Sequence, residues 1–312
     1  MTMEPSAGKR IHADPFNGRF DVPVGGGKLH VARAGPPPEA AAAVVLAAHG
    51  VTASLMTWCS LARQLPDDVC LLAPDLRGRG RSAAHPGPYG IAEHAADLVA
   101  VLDAAGVASA VLLGHSMGAY VVARLAAEHP ERAEGLVLLD AGLPLAAAED
   151  LERQLEAAVG NVILRLSITF PSVARYIEGW RAHPAFADAW NDDIEAYALY
   201  DVAVNGHEAR CVCNPAAVRA DTEELVRDSV TRTALERVQS PVYLLRAERG
   251  LFNERDAPLI AAADLRAFVA AHPSVRVEVV PDVNHYTLVM GAGPGSRRVA
   301  AAIDAVIGGR VA

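Results

Sequence analysis

The sequence predicts an α/β fold: a mostly parallel sheet covered by helices on both faces and interrupted by one long helical insertion. Three observations carry this expectation. Short apolar runs suited to buried strands alternate with helical patterns from Val44 to Asp140, and again from Val242 to Ile307. The alternation lapses between Gly142 and Gln239. Finally, Gly114-His115-Ser116-Met117-Gly118 joins the apolar run Val111-Leu112-Leu113 to an Ala-rich helical pattern. Such a strand-to-helix turn lifts a serine hydroxyl above the sheet edge and aims the first free N–H groups of the helix at whatever reacts there.

Taken in order, residues 1–18 read as a loose arm, and Phe20–Val24 and Leu29–Ala34 read as a hairpin around Gly25-Gly26-Gly27. Gly35-Pro36-Pro37-Pro38 is a surface linker. Val44–Ala48 is a strand ending at His49-Gly50-Val51, after which Ser54 opens a helical pattern through Leu65. Val69–Ala73 is a strand that feeds Asp75-Leu76-Arg77-Gly78-Arg79-Gly80-Arg81-Ser82, and Ile91–Ala105 is a helix with Gly106 as its stop. Met117–Glu128 is the helix after the serine, and Leu136–Leu139 is a strand that delivers Asp140.

Within the insertion, Leu151–Val159 and Val173–Trp180 are amphipathic helices, and strand character is slight. Trp180, Trp190, Tyr176, Tyr197 and Tyr200 lie there. Val242–Ala247 and Val275–Val280 resume the strands, with helices over Leu259–Ala271 and Ser296–Ile307. The expected division is a core of residues 1–141 and 240–312 under a helical cap of residues 142–239. Ligands of open α/β sheets bind at the strand ends that such a cap covers.

The 312 residues are 52% hydrophobic and 21% charged, enough for a substantial core in a soluble globular protein. A formal net charge of −9 argues against nucleic acid or an anionic membrane as main partner. The first thirty residues show no apolar signal core, and apolar windows such as Ala40–Ala48 are too short to span a bilayer, so the expected location is cytoplasmic. Cys59, Cys70, Cys211 and Cys213 read as reduced thiols; one intervening residue strains a Cys211–Cys213 disulfide, and no zinc or other metal pattern is present.

A serine hydroxyl needs a base within hydrogen-bond reach and a third group to orient that base. Among the histidines, His129 and His272 each precede a proline at a helix end, and His85, His183 and His207 sit in polar loops. His285 follows the last strand, in Val280-Pro281-Asp282-Val283-Asn284-His285-Tyr286, on the same sheet edge as Ser116. Backbone donors for an oxyanion come from Met117, just after the serine, and from Val51, after the His49-Gly50 turn.

His49-Gly50, Asp75 to Ser82, Gly114 to Gly118 and Asn284-His285 stand in one order along the chain. In these landmarks, over roughly residues 20–310, the sequence resembles the α/β-hydrolase superfamily. The resemblance implies an eight-stranded, mostly parallel sheet and a cofactor-free Ser–His–acid mechanism. Many members carry the acid as Asp in a Gly-x-x-Asp loop after the strand equivalent to Val242–Ala247, but Gly250 stands there in this chain. A subset places the acid one strand earlier, where Asp140 stands 24 residues after Ser116 (140 − 116). Asp140 is therefore the expected acid, with Glu248 and Asp256 as alternatives; an Asp at this strand end also suits a plain turn cap. Asp75 is expected to hold local backbone N–H groups, and Arg77, Arg79 and Arg81 to be solvated or to tie loops together.

The expected activity is that of a serine esterase or lactonase acting through an acyl-enzyme on a small to medium hydrophobic or aromatic substrate. Trp180, Trp190 and Tyr286 are the expected substrate contacts. A carbon–carbon bond hydrolase or perhydrolase would use the same residues. A non-catalytic ligand-binding protein on this scaffold would tolerate the missing Gly-x-x-Asp. Epoxide hydrolases and haloalkane dehalogenases of this fold are disfavoured, because their nucleophile is Asp and Ser116 stands in its place.

Overall fold

Burial on both faces makes the central strands read as unbroken apolar runs. The computed structural model describes residues 14–144, 164, 166–291 and 293–309. Its main sheet has the order β1-β2-β4-β3-β5-β6-β9-β10. The strands are β1 (Gly18–Val24), β2 (Gly27–Ala34), β3 (Ala43–Ala48), β4 (Val69–Pro74), β5 (Ala110–His115), β6 (Ala133–Leu139), β9 (Val242–Ala247) and β10 (Arg276–Val280). β2 runs antiparallel to both neighbours, and every other pairing is parallel.

Successive side chains of a strand point to opposite faces, so each central strand feeds two cores. Val45, Val111, Leu113, Val137, Leu139 and Leu245 join one buried cluster. Their alternates Leu46, Leu112, Leu136, Leu138 and Leu244 join the other. Helices α2 (Ile91–Ala104), α3 (Met117–Glu128) and α8 (Ala262–Ala271) cover the second face, while α1 (Cys59–Ala62) and α9 (Pro294–Ile307) cover the first. Gly106 closes α2 with φ +67, and the Val107 N–H donates to Leu102 O at 2.9 Å.

The chain between β6 and β9 contributes α4 (Val173–Arg181), α5 (Asp192–Tyr200), α6 (Pro215–Arg227) and α7 (Ser229–Arg232). Ser172, Asn191 and Asn214 cap the first three of these through their side chains. Tyr176, Ile177 and Trp180 form the buried stripe of α4, leaving Arg175, Glu178 and Arg181 outside. Side-chain bonds tie the insertion to the core. The Tyr200 hydroxyl donates to Asp75 Oδ2 at 2.6 Å, and Asp221 of α6 pairs with Arg79, both side chains fully buried.

Several expectations need correction. The insertion carries an antiparallel hairpin, β7 (Val202–Asn205) with β8 (Glu208–Cys211). Its strands are too short and too mixed in polarity to show a two-residue period. The pattern from Ser54 to Leu65 folds as a 3-10 turn, Leu55–Trp58, followed only by the single turn α1. The helix expected from Leu259 begins at Ala262, preceded by Ala261 in an extended conformation. Residues 14–18 are not all loose, because Phe16 is buried and the Asn17 N–H donates to Arg33 O at 2.9 Å. The helix expected over Leu151–Val159 lies outside the described residues. Among the described residues, no helix is long and apolar enough to cross a membrane. All four cysteines are thiols, and the Cys211 Sγ donates to Asp201 Oδ2 at 3.0 Å.

Candidate active site

The C-terminal ends of β3, β4, β5, β6 and β10 bring His49-Gly50, Asp75, Ser116, Asp140 and the loop of His285 to one edge of the sheet. Ser116 sits between β5 and α3 at φ 56 and ψ −125, a conformation that costs a non-glycine residue about 1–3 kcal/mol. Its neighbours hold it there. The Ser116 N–H donates to Leu139 O at 3.1 Å, and Ser116 O accepts from Ala119 N at 3.0 Å. A Cβ on Gly114 would overlap the backbone of Gly118 and Ala119, and one on Gly118 would overlap the carbonyls of Ala48 and His49. Both glycines are therefore required by space.

The His49-Gly50 turn lies against the serine: a Cβ built on Gly50 would stand 3.2 Å from Ser116 Cβ and 3.7 Å from Oγ. His49 fixes this turn. Its Nδ1–H donates to Gly50 O at 2.8 Å, and its Nε2 accepts the Leu76 N–H at 3.0 Å. Burial pushes the His49 pKa down to about 3, so the ring is neutral and can play both parts. The Arg79 Nε donates to Val51 O at 2.9 Å, tying the same turn to the Arg79–Asp221 pair.

His285 Nδ1 lies 2.8 Å from Oδ2 of Asp140, with both residues buried. The other carboxylate oxygen, Oδ1, accepts the Ala247 N–H at 3.0 Å, so β9 orients the acid. Glu248 is exposed and accepts the Asp282 N–H at 2.8 Å, while Asp256 is also exposed. Of the three carboxylates considered, Asp140 is the one bonded to His285. A Cβ on Gly250 would overlap the Ala257 carbonyl, so the loop as folded has no room for a side chain at that position.

Asn284 anchors the loop of His285. Its Oδ1 accepts from Tyr286 N at 3.0 Å and Thr287 N at 2.9 Å, and its Nδ2 donates to Ala185 O at 2.9 Å. His115, inside the serine motif, donates from Nε2 to the His285 carbonyl at 2.9 Å, with ring centroids 4.4 Å apart. Burial holds the His115 pKa well below the ordinary 6.5, which keeps that ring neutral. His183, expected in a polar loop, packs edge-on to Tyr286 at 5.6 Å and stacks on Phe252 at 5.5 Å. Sequence reasoning passed over His115 and His183, and only the adjacency of His115 to the serine was there to signal it.

Asp75 is fully buried and accepts from Leu55 N, Arg81 N and the Tyr200 hydroxyl, at 2.8, 2.8 and 2.6 Å. Burial nevertheless pushes its pKa up. Arg77 forms a two-pronged buried pair with Asp97, each bond 2.6 Å, and Arg81 is exposed over the Tyr200 ring. Of the expected substrate contacts, Tyr286 packs edge-on to His285 with centroids 5.6 Å apart. Trp180 is buried beside Phe186 and Tyr197. Trp190 is half-buried, with the Arg181 guanidinium 5.2 Å from its ring centroid and its Nε1–H donating to Glu195 at 3.4 Å.

Residues 43–163 match the alpha/beta hydrolase fold family. Lipase LipV of Mycobacterium tuberculosis is 42% identical over 117 residues, which cover 38% of this chain and 43% of LipV, so the match spans less than half of that relative. The 2-(acetamidomethylene)succinate hydrolase of Mesorhizobium japonicum is 29% identical over 276 residues, 88% of this chain and 91% of that protein. A crystal structure of E-2-(acetamidomethylene)succinate hydrolase superposes with a TM-score of 0.73 at 22% identity, covering 94% of this chain and 99% of that one. The chain has the α/β-hydrolase fold, and its residues 43–163 resemble that family in sequence.

Proposed function

We propose that this protein is a serine hydrolase that cleaves a carboxylic ester or lactone through an acyl-enzyme, with Ser116 as nucleophile, His285 as base and Asp140 as orienting acid. The observation that carries the reading is the buried 2.8 Å bond between His285 Nδ1 and Asp140, at the sheet edge where Ser116 is held in its strained turn. Because Nδ1 is spent on Asp140, Nε2 is the nitrogen that takes the Ser116 proton as Oγ attacks the carbonyl carbon. The oxyanion is held by the N–H groups of Val51 and Met117, each such donor contributing about 3 kcal/mol in the transition state. Imidazolium then protonates the leaving alkoxide as the C–O bond breaks. Water, deprotonated by His285, adds to the acyl-Ser116 carbonyl; collapse returns the proton to Oγ and releases the acid.

Residues 142–239 act as the cap in this reading, and no cofactor or metal takes part. The aromatic side chains near His285 favour a hydrophobic or aromatic small-molecule substrate. The relative matched over most of the chain is named for a different substrate, 2-(acetamidomethylene)succinate, which carries an amide carbonyl that the same residues could attack. The test is a panel of aryl and alkyl esters, lactones and 2-(acetamidomethylene)succinate, given to wild type and Ser116→Ala. Turnover of an ester or lactone that vanishes in Ser116→Ala is expected. Turnover of the succinate alone would move the substrate class, and turnover unchanged in Ser116→Ala would end the serine mechanism.

A further inference from the structure

The backbone of Val51 is held on both sides. The carbonyl of Gly50, in the peptide unit that carries the Val51 N–H, accepts from His49 Nδ1 at 2.8 Å and from Ala53 N at 3.1 Å. The carbonyl of Val51, in the next peptide unit, accepts from Arg79 Nε at 2.9 Å. Peptide units are planar, so fixing both planes fixes φ and ψ at Val51, and with them the direction of its N–H. The Val51 side chain packs on a buried cluster of Leu166, Cys213 and Val218, all three from the insertion.

The insertion also supplies the far end of this hold. Arg79 is fully buried, and its nitrogens serve three segments: Nε bonds Val51 O, Nη1 donates to Arg77 O at 2.7 Å, and Nη2 pairs with Asp221 of α6. Asp221 is fully buried too, and His94 of α2 places its Nε2 3.1 Å from the same carboxylate oxygen. Val218 and Asp221 stand at i and i+3 on α6, so one helix face meets both the cluster under Val51 and the arginine. Apolar side chains of similar volume often stabilise a fold as well as a buried ion pair does. What they lack is the guanidinium fork, which bonds a backbone carbonyl and a carboxylate at once in fixed geometry.

We propose that Arg79 is a positioning residue for the oxyanion donor at Val51, and that Asp221 of the insertion holds Arg79 in place for it. The insertion then shares in transition-state stabilisation without supplying a reacting group. This role rests on the serine-hydrolase reading, in which the Val51 N–H meets the carbonyl oxygen once Ser116 has attacked. Removing an oxyanion donor outright costs about 10²–10³ in kcat, so loosening one should cost roughly tenfold.

The test compares two inhibitors of phenyl acetate hydrolysis, benzyl trifluoromethyl ketone and the matching alcohol. Ser116 Oγ adds to the ketone carbon, its proton passes to His285, and the C=O π pair moves to oxygen, leaving an oxyanion for the Val51 N–H. The alcohol offers no carbonyl and forms no oxyanion. Arg79→Lys keeps a cation for Asp221 but loses the fork. Its Ki for the ketone should rise about tenfold or more and kcat/KM should fall in step, while its Ki for the alcohol stays within about twofold. Asp221→Asn leaves Arg79 an uncharged partner and should raise the ketone Ki about threefold or more, again sparing the alcohol; it decides the matter if Arg79→Lys does not fold. Phe268→Ala, which empties a buried site in α8, should weaken folding and move neither Ki. A ketone Ki unchanged in the charge-pair variants, raised in parallel with the alcohol's, or matched by Phe268→Ala would overturn the positioning role alone. A wild type that neither hydrolyses phenyl acetate nor binds the ketone more tightly than the alcohol would overturn the serine-hydrolase reading, and this role with it.

Discussion

Asp140 holds His285 from one carboxylate oxygen at 2.8 Å and the Ala247 N–H from the other at 3.0 Å, so the imidazole is tied through the acid to β9. Removing the charge while keeping the shape separates orientation from packing. Asp140→Asn is expected to lower kcat by about 10³–10⁴-fold. Glu248→Gln and Asp256→Asn, both at exposed carboxylates, should stay within about twofold. An aryl-ester assay on the three variants checks this, and wild-type turnover in Asp140→Asn would remove the acid from the mechanism.

The link between insertion and core is the second prediction. Arg79 and Asp221 are fully buried as a pair, and Asp221 Oδ2 also lies 3.1 Å from His94 Nε2. Breaking a buried pair strands a charge, so Asp221→Asn should cost about 3–5 kcal/mol in urea unfolding. Arg81→Ala, which removes only an exposed cation over the Tyr200 ring, should cost under about 1 kcal/mol. Equal costs would show that Arg79–Asp221 carries no special share of the stability.

Two buried neutral histidines set the acid side of the stability curve. Burial holds His49 at about 3 and His115 well below 6.5, while the unfolded chain protonates both near 6.5. As pH falls below 6.5 the unfolded state takes up protons that the folded state refuses. The contribution is therefore fully present above about pH 6.5 and is lost toward the folded pKa, at up to about 1.4 kcal/mol per pH unit for each residue. Arg79 and His94 oppose protonation of His49 and Asp221 favours it, both less than burial does. Urea midpoints measured from pH 7 to 5 should fall, and fall less in His49→Gln. An identical slope in that variant would contradict the assignment.

The serine turn depends on missing side chains. Gly118→Ala drives a methyl into the Ala48 and His49 carbonyls and should cost about 3 kcal/mol or more, with loss of activity. Gly293→Ala, at a site with open space and φ −69, should be within about 0.5 kcal/mol of wild type. Thermal unfolding of the pair reads the difference.

Strands buried on both faces announced themselves as apolar runs, and the glycines of the serine turn marked a place where chain crowding forbids a side chain. Ser116 and Asp140 were legible as candidates because each follows such a strand, and His285 because it follows the last apolar run of the chain. The β7–β8 hairpin was hidden because its residues are half exposed and its partner strand, not its pattern, makes it a ribbon. His115 and His183 were missed for a different reason. Their importance lies in contacts with the loop of His285, 170 and 102 residues away (285 − 115 and 285 − 183), and no local period reports such a contact. Gly250 was legible as the residue where an acid was looked for, but its close approach to the Ala257 carbonyl belongs to the folded loop.

The central claim is that Ser116 is a nucleophile activated by His285. Intact-mass measurement after treatment with a fluorophosphonate tests it most directly. The account predicts a single phosphonyl adduct on Ser116 in the folded wild type, absent from Ser116→Ala and at least a hundredfold slower in His285→Gln, in line with the share that a positioned base contributes. Folded wild-type protein that stays unlabelled, or that carries its adduct on another residue, would contradict it.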